Sequence, residues 1–129
     1  MKIDLEDIEK ISAETVKEFF DSNDISVSDD FIDFYSEFNG GSGDIGDAYI
    51  EIWRLDELTE LNENYDVSKN IDNVIIFGSD GGDNALGYDY KENKYLTVPF
   101  IGMGFLVKPI YLGSDHNSFF ENLPDALFE

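Results

Sequence analysis

The chain has 129 residues, 42% hydrophobic and 15% aromatic, with 29 Asp and Glu against 8 Lys and Arg, a formal net charge of −21. That length predicts a single domain over residues 1–129, and the apolar supply argues for a folded core that buries roughly two-thirds of the unfolded chain's surface. The negative charge is spread along the chain rather than gathered in a tail, so it repels phosphate backbones and anionic lipid and argues against direct nucleic-acid or membrane binding.

The same charge would attract a basic protein, in an encounter that salt weakens, or it simply keeps a monomer soluble. The chain has no cysteine, which excludes disulfides and thiolate metal sites and fits a reducing cytosol. The first ten residues are acidic and contain no apolar signal core. Phe100 to Val107 is the longest nearly apolar stretch, broken by Gly102 and Gly104, and it is far shorter than the ~20 residues a spanning helix needs. The expectation is a cytoplasmic protein.

In chain order, Leu5, Ile8 and Ile11, then Val16, Phe19 and Phe20, recur at helical spacing, as one irregular helix or two short ones. Asp21 to Asp24 break it. Ser28 is placed to cap a second helix, with Asp29 and Asp30 facing its dipole and Phe31, Phe34, Tyr35 and Phe38 on one face. Asn39-Gly40-Gly41 ends it. Gly41 to Asp47 reads as a flexible acidic loop, and Ala48 to Trp53 as a strand with Ile50 and Ile52 on one side. Leu55, Leu58 and Leu61 predict a short helix, followed by loop from Asn62 to Asn70.

Val74 to Phe77 predicts a central strand. Leu86 to Tyr90 and Tyr95 to Val98 flank a hairpin turn at Lys91-Glu92-Asn93-Lys94. Phe105 to Val107 and Ile110 to Leu112 read as strands around Pro109, which marks an edge or bend. Ser114 is placed to cap a last helix with Phe119, Phe120 and Leu123. Helices, then mostly adjacent strands, then a helix make an α+β fold: a largely antiparallel sheet flanked by N-terminal helices and a C-terminal helix.

The loop Gly78-Ser79-Asp80-Gly81-Gly82-Asp83-Asn84 carries no lysine and is followed by a strand pattern, so it does not suit phosphate. Asp80, Asp83 and Asn84 could offer oxygens to calcium, but without the EF-hand spacing or its closing Glu. A tight strand connection, with Asp and Asn bonding nearby amides, is favoured. His116 is the only histidine. Beside Ser114 and Asp115 it supplies triad residue types without their convergence, and it reads as an exposed first-turn residue. One His and no Cys do not support zinc. The 29 carboxylates offer many pairs and single out none for acid–base work. Trp53 is expected in the core and Arg54 on a nearby acid, with a binding anchor as the other reading. No cofactor and no catalytic group are expected.

These features together resemble the SUKH superfamily, the Smi-one/Knr-four-like domain, from about Ser28 to Leu123. The resemblance is carried by Phe31-x-x-Phe34-Tyr35-x-x-Phe38 with Asn39-Gly40-Gly41, a strand ending in Trp53, Leu55-x-x-Leu58-x-x-Leu61-Asn62, and Tyr65. It continues through Ile75-Ile76-Phe77-Gly78-Ser79-Asp80-Gly81-Gly82, Leu86-Gly87-Tyr88-Asp89 and the final helix with Phe119 and Phe120. Val27-Ser28 stands where the family often has Leu-Pro, and the Ser28 cap can start the helix instead. The resemblance implies a non-enzymatic α+β domain, in bacteria commonly an immunity protein that neutralises a polymorphic toxin, often a nuclease; the alternative is a regulatory or scaffold module. A metal-dependent hydrolase is the remote third reading. The expected partner is a basic toxin domain, and the expected contact residues are Asp44 and Asp47, with Asp80 and Asp83 as a second group.

Overall fold

The computed structural model describes residues 3–104 and 106–127. In chain order the elements are β1 (Ile3–Glu6), α1 (Ala13–Ser22), α2 (Asp29–Glu37), β2 (Ser42–Ile45), β3 (Ala48–Ile52) and a 3₁₀ turn (Leu55–Glu57). There follow α3 (Leu58–Asn64), α4 (Val67–Asn70), β4 (Val74–Ser79), β5 (Asn84–Asp89), β6 (Lys94–Pro99), β7 (Ile110–Gly113) and α5 (His116–Leu127). The seven strands form one antiparallel sheet in sequential order, β1 to β7, as the α+β expectation required.

Serine caps start two of the helices. The Thr15 N–H donates to Ser12 Oγ at 3.1 Å, and the Phe31 N–H to Ser28 Oγ at 3.3 Å. The α2 stripe is core as expected: Phe31, Phe34 and Tyr35 are buried, and Phe38 packs against them from the helix end. Phe31 is the hub. It stacks on Tyr88 of β5, with ring centroids 4.0 Å apart and planes 11° apart, and lies within 6 Å of Phe20, Phe77 and Tyr95. Such aromatic pairs add roughly 0.5–1.5 kcal/mol each beyond area burial.

The joint after α2 does more than stop a helix. Gly40 and Gly41 take φ of +90° and +105°, while Asn39 is buried and its Oδ1 accepts the Leu55 N–H at 2.7 Å. The helix end is thereby tied to the 3₁₀ turn that follows β3.

Two cores result. α1, α2 and α5 cover one face of the sheet through Phe20, Phe31, Phe34, Phe119 and Phe120 against Phe77, Tyr88 and Tyr95. On the opposite face a smaller cluster joins Val67 of α4 and Met103 to Ile76, Ala85, Leu96 and Val98. Trp53 packs against both clusters, half-buried, and stacks on Tyr65 at 6.0 Å with planes 7° apart. The second cluster lies over β4–β6 only.

Five expectations about the elements need correction. The first helical repeat fails at its start: residues 3–6 are a strand, because pairing with β2 satisfies their backbone and outweighs the helical spacing. The supposed flexible loop contains β2, since a strand on each side satisfies its backbone. The Asn62–Asn70 loop is mostly helical, α3 running to Asn64 and α4 following. Leu106 lies in a turn and Val107 only in an isolated bridge to Met103, not a strand; the Phe105 part of that expectation lies outside the described residues. Lastly, Asp115 caps α5 rather than Ser114, accepting the Ser118 N–H at 2.8 Å. That bond holds the Asp115 carboxyl below its ordinary pKa.

Candidate functional site

Strand register builds one surface from residues far apart in sequence. Asp4 of β1, Asp44 of β2 and Tyr49 of β3 stand opposite one another, and beside them Glu6, Ser42, Glu51 and Ser79 of β4 form a second row. Directly opposite residues point to the same side of a sheet. The other side of these strands carries Ile45, Ala48 and Ile50, all buried in the core. The two rows therefore face away from the core, with Asp4, Glu6, Asp44 and Tyr49 exposed and Glu51 half-buried.

Among the described residues these rows hold four carboxylates and no lysine or arginine. Asp4 directly opposite Asp44 is a like-charge pair, an arrangement that costs stability in a sheet. Tyr49 sits in the middle, 43% exposed. Its hydroxyl donates to Glu51 Oε1 at 3.2 Å, and the Ser79 hydroxyl donates to Glu51 Oε2 at 3.4 Å. The Glu51 carboxylate is thus held at the centre of the face.

The β4–β5 connection borders this face. A Cβ on Gly81 would lie 3.0 Å from the Tyr49 ring, so the glycine lets loop and ring meet. Asp80 is committed within the loop: its carboxylate accepts the Gly82 N–H at 2.9 Å, the Asn84 N–H at 3.1 Å and the Asn84 Nδ2 at 3.0 Å. This is the tight connection expected from the sequence. Asp83 is exposed at the loop tip, and Asp47 is exposed in the β2–β3 turn. The two groups expected separately, Asp44 and Asp47, and Asp80 and Asp83, thus lie on either side of Tyr49. Among the described residues no three His, Asp or Glu side chains converge as a metal site.

The other candidates belong to the scaffold. His116 is half-buried rather than exposed. Its Nδ1 lies 3.0 Å from Asp30 Oδ1, and its backbone N–H donates to Asp30 Oδ2 at 2.9 Å, which fastens α5 to α2. The Tyr95 hydroxyl donates to the same Oδ2 at 2.7 Å. Burial, then the adjacent Asp30 charge, push the Tyr95 hydroxyl far above its ordinary pKa. Arg54 pairs with Glu9 at 2.9 Å and Asp56 at 3.3 Å, as expected.

Sequence reasoning missed Tyr49 and Glu51 as surface residues with Asp4 and Glu6, because their grouping exists only once β1 joins the sheet. It also missed Asn62. The Asn62 side chain accepts the Ile76 N–H at 2.8 Å and donates to the Ile76 carbonyl at 2.8 Å, completing β4 where β3 does not pair with it.

A comparison with curated proteins finds no match to the chain. The model of the SMI1 / KNR4 family (SUKH-1) matches residues 10–122, a span that holds the α2 stripe, Asn39-Gly40-Gly41, the β4–β5 connection and β2–β7 and leaves out β1. The chain belongs to the SMI1 / KNR4 (SUKH-1) family.

Proposed function

We propose that this protein is a cytoplasmic immunity protein that binds and neutralises a cognate bacterial polymorphic toxin without chemistry of its own. The observation that carries the reading is the open acidic face built by strand register, with Asp4, Glu6, Asp44 and Glu51 around Tyr49. Family membership supports a domain of this type. A basic, nuclease-type toxin domain complements the face: the carboxylates steer the encounter, and the Tyr49 ring offers a rigid anchor that can be desolvated. Asp47 and Asp83 lie at the rim, while Asp80 shapes the loop that carries Asp83. Neutralisation then follows from covering or distorting the toxin's catalytic surface.

The test is to read the gene beside this one and to co-express this chain with any toxin domain encoded there. Growth should be rescued, and the two chains should co-elute on gel filtration. Growth arrest without a complex would remove the immunity reading and leave a regulatory or scaffold module of the same family.

A further inference from the structure

The outer side of the sheet does not end at the two acidic rows. Along β3, Tyr49 and Glu51 point away from the buried Ile50 and Ile52, and the same alternation carries Trp53, the chain's single tryptophan, to that side. Its backbone is held there: the Trp53 N–H donates to the Phe77 carbonyl at 2.8 Å, and the Tyr35 hydroxyl donates to the Trp53 carbonyl at 3.1 Å. Two more rings join it. Tyr65, at the end of α3, stacks on Trp53, and Phe100, after β6, lies 4.6 Å from Tyr65 and 6.5 Å from Trp53, all three planes within 30° of one another. Trp53 and Phe100 rest on the second core cluster, while Tyr65 is 46% exposed. The three rings form an aromatic shelf.

The shelf and the acidic rows meet. Glu51 and Trp53 are two residues apart on one side of an extended chain, about 6.6 Å, near enough for one planar group to touch both. The Tyr49 and Ser79 hydroxyls each donate to one Glu51 oxygen, and a carboxylate has about four acceptor positions, so two stay open. The β4–β5 connection, which meets the Tyr49 ring at Gly81, closes the other side: the Asp83 carbonyl accepts the Phe100 N–H at 2.9 Å.

We propose that this junction receives an arginine side chain of the basic partner, its guanidinium laid against the aromatic shelf and hydrogen-bonded to Glu51. An aromatic face beside a carboxylate suits that group in particular. Its plane stacks on rings while its edge donates in a fork, whereas a lysine ammonium is a compact, strongly hydrated point charge. An apolar group here would cover Glu51 without answering its charge, and an anionic one would be repelled. The two backbone bonds fix Trp53 before the partner arrives, so little ordering is left to offset the contact. This inference rests on the reading that a basic protein docks on this side of the sheet, and it adds which basic group is read.

The experiment uses the full chain and no toxin. Two end-blocked octapeptides of equal charge, one of Gly-Arg repeats and one of Gly-Lys repeats, are titrated at low salt by calorimetry and by Trp53 fluorescence. The arginine peptide should bind about threefold or more tighter than the lysine peptide and should change the Trp53 emission. Tyr65→Ser, at an exposed ring, should bring the two peptides to equal affinity. Glu51→Gln should weaken the arginine peptide by about threefold or more. Circular dichroism checks both folds, and the wild-type comparison decides the matter by itself if either variant fails to fold. No binding of either peptide, equal affinities in the wild type, or an unchanged Trp53 emission would overturn the proposal. So would an arginine preference that survives Tyr65→Ser. Any of these leaves the immunity reading to its own rescue test, and a failed rescue with the arginine preference intact would remove the toxin and keep the site.

Discussion

Strands β4–β6 carry packed side chains on both faces, Phe77, Tyr88 and Tyr95 on one and Ile76, Ala85 and Val98 on the other. Strands β1–β3 bury only one face and set Asp4 against Asp44 on the open one. The first arrangement concentrates stability and the second gives some of it up. A protein that needed its charge only for solubility could scatter carboxylates without facing two of them across a strand pair. Confining that cost to the uncovered half is what a face reserved for a partner would require.

The comparison breaks most visibly at the centre. Phe31→Ala should cost about 4 kcal/mol in chemical denaturation, because it empties the hub between α2 and β5. Tyr49→Ser on the open face should change stability by no more than about 0.5 kcal/mol. Equal costs for the two would erase the distinction between a stabilising half and the half proposed to bind.

A smaller effect should appear at alkaline pH. The Tyr35, Tyr88 and Tyr95 hydroxyls are all raised above the ordinary value, with burial as the leading cause, and all three lie under the covered half. A group raised in the folded state contributes stability that is complete below its unfolded pKa and is lost as pH rises. Stability should therefore hold up to the ordinary tyrosine range, about pH 10, and fall above it. Tyr95→Phe should flatten that fall. A stability profile level well above pH 10 would show that these hydroxyls open to water without unfolding.

The smallest effect sharpens the other side of the comparison. Asp44→Asn removes the like-charge pairing with Asp4 and should raise the melting temperature by roughly 2 °C at low salt. The gain should disappear at high salt, where exposed charges are screened. A loss of stability would mean that the Asp44 carboxylate has a structural partner.

What could be read in the chain beforehand follows how local the signal was. The α2 stripe, its Ser28 cap, the Asn39-Gly40-Gly41 stop and the β5–β6 hairpin all declare themselves within a few residues, and each stands where it was expected. β1 and β2 are four residues each, too short to show a period, and they become strands only by pairing with each other and with β3. The helical spacing of Leu5 and Ile8 was therefore outweighed by a tertiary pairing. The candidate site suffered in the same way. Asp44 and Asp47 could be picked out as acidic loop residues, but Asp4, Glu6 and Glu51 join them only through register. Asp115 shows a different limit: neighbouring Ser and Asp are both good caps, and composition does not choose between them.

The central claim, the proposal that the open face of β1–β3 receives a basic toxin domain, is tested most directly by titrating a toxin domain found encoded beside the gene into wild type and into the Asp44→Lys/Glu51→Lys variant at low and high salt. The account predicts affinity weakened at least tenfold in the variant, with a much shallower salt dependence than wild type. Unchanged affinity and an unchanged salt dependence, in a variant that folds normally, would contradict it.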